Sequence, residues 1–455
     1  MGTVYYIMKL LKSWYGILFL ALPSLFAFAT QTLTGTINLI LVGDLGFLVI
    51  AVVGVSNIIM YNVFAIFSGI GHTVNYLVAQ NFGAKEMRKG MQRTYLALIV
   101  SLGVALIIAL AGWLASGAVL KLTGGSTELV TTGGEYLELR FYAMSFGIIS
   151  FVFHGFFRGV GDTRTSMVVS IIGNVLIVGL TYGMTYGHWG LPDMGLVGAG
   201  YAILIGEAIQ LLLCLFVFWG PMHKRYQTRS IPKPEWSELK LISQESGKLG
   251  MQEFSMSISM YIFTIFVLKL GDMAAAANEV ALSVMSFGFM PAFAFGSTAT
   301  ILVGQEIGQG RPKLAKSAGT NTAILGTIFL LLLGTAELIW AVPIARLYSD
   351  DPGVYELAAH LITVSAYLQI FDGFYNFYAG GLRGIGDTTF LMRASFVLSL
   401  FMFVPLTYLF VMVFEWGSMG AWLALYSFLV ALGLAVMIRY YRTDFNSVRL
   451  KVAHG

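Results

Sequence analysis

Charge is scarce in this chain, and cysteine almost absent. Of 455 residues, 11% are Asp, Glu, Lys or Arg, less than half the roughly 25% of a soluble chain. A surface so poor in charge faces something other than water. The single cysteine, Cys214, lies inside an apolar run, which excludes an intramolecular disulfide and a cysteine-rich metal site. The six histidines are scattered, without HExxH-type spacing. Neither a nucleophile–base pair nor a metal cluster is evident, so an enzyme is not expected, and neither a cofactor nor a nucleic-acid partner is implied. There is no sign of a cleavable leader: the first apolar run, from about Ser13, continues into a second and is expected to remain as a helix.

What the chain has in abundance is hydrocarbon. It is 57% hydrophobic, with a mean hydropathy of +0.78. Apolar runs recur along its whole length, each able to cross a ~30 Å hydrocarbon layer. Short alternating segments of barrel type are not evident, so the spans are helices that satisfy their own backbone hydrogen bonds in lipid. The pattern predicts twelve of them, at 14–41, 47–80, 94–120, 136–157, 165–187, 195–220, 248–270, 276–306, 318–346, 355–381, 390–414 and 418–440. An all-α integral membrane fold follows, with lobes at 1–220 and 249–455 and a cytoplasmic linker at 221–248, whose "PEWSELKLI" reads as an interfacial helix. Alternate connections and the two ends hold 23 of the 27 Lys and Arg residues, leaving Lys121, Arg140, Lys269 and Arg346 on the other side. By the positive-inside rule both termini are expected in the cytoplasm, in a plasma (inner) membrane.

The two halves repeat. "RGVGDT" at 158–163 and "RGIGDT" at 383–388 are offset by 225 residues. The same offset pairs Leu77, Val78, Gln80 and Gly83 with Leu302, Val303, Gln305 and Gly308, and an offset of 222 pairs Gly198 and Ala199 with Gly420 and Ala421. Six spans per repeat make this a parallel duplication, the design in which two lobes enclose a cleft opened to each side in turn. The RGxGDT loops read mainly as braces of each lobe, Gly allowing tight connections and Arg and Asp pairing or binding helix ends.

These motifs, with "LVAQNFGAKEMRKG", "LVGQEIGQGRPKLAKSAG" and "AAAANEVALSVMSFGFMPAFAFG", resemble the multidrug and toxic compound extrusion (MATE) family over essentially the whole chain. The resemblance implies twelve helices in two bundles and antiport of organic, often cationic, compounds against H+ or Na+. The wider superfamily also contains flippases of lipid-linked saccharides. A pyrophosphate-binding cleft should be basic, whereas the spans here carry almost no basic groups. Small organic substrates and membrane lipids are the expected partners, and a monomer the expected state.

Acids within spans cost roughly 2.5–3.5 kcal/mol each on insertion scales and so point to function. Asp372 leads, eleven residues before Arg383, with Tyr375 and Asn376 three and four residues on and on its helical face. It can exchange a proton, hold Na+ or attract a cationic compound, and it matches a helix-10 acid that the family associates with cation coupling. In helix 1 the family's Asp-x-x-x-Val-Gly acid is replaced by Asn38, which cannot exchange a proton. Asn174 of helix 5 is placed to hydrogen-bond Asn38, while Thr181 is a weaker candidate, because Thr often bonds its own helix. Glu253, Asn278 and Glu279 complete the candidate set. Glu207 and Glu337 also fall within apolar runs, where Gln210 or other polar neighbours could pair with them.

Overall fold

The computed structural model describes residues 2–122 and 127–453, all helix and connecting loop with no strand among them. The helices are α1 (Gly2–Gly43), α2 (Phe47–Gly83), α3 (Met87–Leu122), α4 (Thr127–Gly159), α5 (Thr163–Tyr186), α6 (Gly195–Trp219), α7 (Pro221–Tyr226), α8 (Trp236–Leu268), α9 (Asp272–Gly308), α10 (Pro312–Ile339), α11 (Ala341–Tyr348), α12 (Pro352–Ile385), α13 (Thr388–Phe396), α14 (Val404–Tyr408) and α15 (Gly417–Arg442). Wider π turns join α13 to α14 and follow α14, so Thr388–Val413 forms one span. Among the described residues twelve helices are long and apolar enough to cross a membrane. One expectation is corrected: "PEWSELKLI" does not form a separate interfacial helix, because α8 runs unbroken from Trp236 to Leu268. Nothing between Leu241 and Gly250 breaks a helix as proline would, and the N-terminal turns of α8 are held by buried polar contacts.

The helices form two compact units, one on Phe26–Asn81 and Glu86–Gly250, the other on Met251–Lys451 with Met1–Leu25 and Phe82–Lys85. In the first, α4 packs on α3 and α6, and α5 on α6; in the second, α12 packs on α9, α10 and α15. Small residues set the spacing. A Cβ on Gly155 of α4 would lie 2.4 Å from the Gly71 carbonyl oxygen, and one on Gly380 of α12 would lie 2.1 Å from that of Gly296. Gly159 abuts the Asn75 carbonyl and Val78, and Gly384 abuts the Thr300 carbonyl and Val303. Each partner is 225 residues from its counterpart, so the repeat legible in the motifs is a repeat of packing.

The RGxGDT loops differ in detail. Asp162 caps α5, accepting from the Thr165 amide at 3.0 Å and its hydroxyl at 2.7 Å. Asp387 instead pairs with Arg439 of α15 at 2.8 Å.

Candidate functional site

The second unit carries a polar stripe along α12. The helix is started by Asp351, whose side chain accepts from the Gly353 amide at 2.8 Å, with Pro352 in its first turn. It continues for 34 residues to Gly386, whose φ of 85° lets the chain turn away. Asp372 lies in the buried interior of this run, 3% exposed. Its Oδ2 accepts from Asn376 Nδ2 at 3.3 Å, while that amide donates more closely, at 2.9 Å, to the Asp372 carbonyl. The carboxylate therefore receives little support from the protein. Like-charge repulsion from Glu253 of α8 also acts on it. A buried acid with so little support, and a second, half-buried acid acting on it, form a place where a proton, a metal cation or an organic cation relieves both desolvation and repulsion.

Tyr375, one turn on, is turned to other partners. Its hydroxyl accepts from Gln252 Nε2 at 2.6 Å and lies 3.5 Å from Ser395 Oγ. Glu253 is half-buried, with Arg383 Nη2 3.6 Å from its Oε1. One turn before Asp372, Gln369 donates to Glu337 Oε2 of α10 at 3.0 Å. Gln252, Ser395 and Gln369 escaped the sequence reading. Gln369 could have been found, since three residues before Asp372 is the same helical face; the other two lie on different helices.

The remaining candidates divide. Asn278 of α9 is buried and accepts from Trp422 Nε1 at 2.9 Å, and Glu279 beside it is exposed on its unit. Asn38, Asn174 and Thr181 belong to the first unit. The expected bond between Asn38 and Asn174 is not made: Asn38 Oδ1 has no hydrogen-bond partner among the described residues. Thr181, fully buried, does not bond its own helix either; among the described residues its hydroxyl is also unpartnered. Gln210 packs against Gly173 of α5 instead of serving Glu207. Among the described residues no three His, Cys, Asp or Glu side chains cluster as metal ligands.

Known proteins bear on this arrangement. A MatE family model matches residues 23–182 and 249–409, once in each half. The chain is 26% identical over 409 residues to the probable multidrug resistance protein NorM of Thermotoga maritima, spanning 89% of this chain and 87% of that one. It is 27% identical over 450 residues to the multidrug resistance protein PmpM of Pseudomonas aeruginosa, spanning 95% and 92%. A crystal structure of MATE in the straight conformation shares its fold with a TM-score of 0.85 at 20% identity, over 94% of this chain and 95% of that one. A MOP superfamily transporter from Pyrococcus furiosus does so with a TM-score of 0.85 at 20% identity, over 94% of each.

Proposed function

We propose, for a chain that belongs to the MatE family, that it is a secondary active multidrug exporter exchanging organic, often cationic, compounds for H+ or Na+ by alternating access. The family consists of membrane transporters and not enzymes, and this chain is a multi-pass member of it. The relatives named as multidrug resistance proteins support the substrate class. The observation that carries the reading is Asp372, a buried acid within a span whose only side-chain hydrogen bond among the described residues is a long one from Asn376. A carboxylate left so unsupported in low dielectric stays there at a cost, and a cation offsets that cost. Coupling needs ion and substrate to compete for the acid or to favour opposite conformations. The distribution of Lys and Arg supports cytoplasmic termini in the plasma (inner) membrane, and the chain acts as a monomer.

Ethidium efflux from proteoliposomes, driven by an imposed H+ or Na+ gradient, tests the proposal. Wild type moves the dye under one of the two gradients, which identifies the coupling ion. Asp372→Asn, whose amide oxygen can still accept from Asn376, lowers the gradient-driven rate at least about tenfold. Equal rates for wild type and variant, or no movement under either gradient, overturn it.

A further inference from the structure

The repeat gives the α12 residues around Asp372 counterparts in α4, and the pairing of Asp372 itself is unlike. At the offset of 225, Asp372 of α12 corresponds to Gly147 of α4. The register holds on both sides of this position. Gly155 on Gly71 matches Gly380 on Gly296, and Phe141, which Gly112 of α3 abuts, is 225 residues before Ala366, which Gly334 of α10 abuts, Gly112 and Gly334 themselves being offset by 222. So where α12 carries a buried carboxylate, α4 carries no side chain.

That space holds a carboxylate all the same. A Cβ built on Gly147 would meet Glu207 of α6, with Oε2 at 3.2 Å and Cδ at 3.7 Å, and, outside its own helix, no other described residue within 4 Å. An aspartate at 147 would direct its carboxylate into the volume that the end of Glu207 occupies. The exchange is reciprocal: at the offset of 222, Glu207 corresponds to Leu429 of α15, a buried apolar residue. Between the repeats, acid and apolar residue have changed helices, Gly147 with Glu207 against Asp372 with Leu429.

Glu207 is half-buried in the apolar span Gly195–Tyr226, and its carboxylate forms no hydrogen bond or ion pair among the described residues. Arg140 and Cys214 are the titratable groups that interact with it electrostatically. Arg140 Nη1 is already directed to Asn57 Oδ1 and the Tyr136 hydroxyl, both at 2.9 Å. A carboxylate with no donor in an apolar helix is expensive and open to a positive ligand.

We propose that Glu207 is the cation-binding carboxylate of the first repeat, standing at the place that Asp372 holds in the second. The ligand is a cation, either the coupling ion or the charged group of a substrate. The inference rests on the reading of Asp372 as a cation site.

The test compares the full-length wild type, D372N, E207A and the double variant G147D/E207A in the same proteoliposomes, with ethidium as probe. E207A lowers gradient-driven efflux at least about tenfold, and G147D/E207A, which returns the acid from the α12-like position, recovers to within about threefold of wild type. Ethidium binding, read by fluorescence polarisation without a gradient, separates the two sources. Binding lost in E207A identifies the substrate's charge as the ligand, whereas binding kept with efflux lost identifies the coupling ion. E207Q, which keeps the shape of the side chain, repeats the test if E207A expresses poorly. Wild-type efflux from E207A or E207Q overturns the inference. So does a G147D/E207A protein that melts as wild type does yet remains inactive. If wild type itself moves no ethidium, or D372N moves it normally, the Asp372 reading has failed, a result distinct from either.

Discussion

The Arg93 guanidinium grips the Glu238 carboxylate through two hydrogen bonds, Nε to Oε2 at 2.8 Å and Nη2 to Oε1 at 3.3 Å. Both side chains are almost wholly buried. Arg93 also donates to Asn81 Oδ1 at 3.2 Å, and Lys89 approaches Glu238 at 3.1 Å. This network fixes the first turn of α8 to α3 and the end of α2, which is why α8 begins at Trp236 and not at its apolar stretch. Removing one member of a buried pair strands the other charge, at a cost of about 3–5 kcal/mol. Arg93→Ala should therefore lower the melting temperature in detergent more than any exposed Lys or Arg substitution does. Arg93→Lys should recover only part of the loss, because an ammonium cannot reproduce the two-pronged geometry. A melting temperature unchanged in Arg93→Ala would show that the pair contributes nothing to stability.

The two RGxGDT loops should respond differently to the same change. Asp162 is a helix cap, and loss of a cap costs about 0.5–2 kcal/mol. Asn caps as well as Asp does, so Asp162→Asn should melt near wild type and Asp162→Ala well below it. Asp387 makes an ion pair with an Arg439 that is 48% exposed, and such pairs contribute about 0–1 kcal/mol and weaken with salt. Asp387→Ala should be the milder of the two alanine variants. Thermal scans of the four proteins at low and high salt decide this, and equal losses at both positions would refute the division of roles.

The span pattern was legible in the sequence because length and hydropathy suffice to mark a membrane helix, and the duplication because small residues and loop motifs recur at one offset. What the sequence could not supply was rotational phase. Asp372 and Tyr375 are one turn apart, yet one approaches Asn376 and the other Gln252 and Ser395. The side a residue faces at a helix crossing depends on neighbours distant in sequence, and Gln252 is 123 positions from Tyr375. Asn38 and Asn174 illustrate the same limit from the other direction: both lie within spans, and their expected bond is not formed among the described residues.

Glycine substitutions should separate sharply by position. At Gly155 an added methyl would meet backbone that cannot swing aside, and at Gly380 the fit is tighter still. Overpacking of this kind costs about 1–3 kcal/mol. At Gly103, exposed on α3, an added Cβ meets nothing within 4 Å. There Ala should stabilise the helix by about 0.5–1 kcal/mol, through the backbone entropy that Gly loses on folding. Melting curves of Gly155→Ala, Gly380→Ala and Gly103→Ala should fall below, below and slightly above wild type. A neutral Gly155→Ala would mean that α2 and α4 can separate at little cost.

Asn278 is a candidate binding residue whose Oδ1 accepts from the indole N–H of Trp422, a side chain with no exposed surface. Tryptophan offers one donor and no acceptor, so Asn278→Ala strands that donor in the core of the second unit. The penalty for a buried unsatisfied group is about 1–3 kcal/mol, and it should appear as a lower melting temperature. If bracing is the residue's whole role, efflux per folded molecule should remain close to wild type. Replacing both partners distinguishes bracing from binding. Asn278→Leu with Trp422→Phe removes donor and acceptor together and should recover stability relative to either single variant, since no polar group is then stranded. If the double variant is stable but no longer exports ethidium, the Asn278 amide acts on the substrate as well as on Trp422.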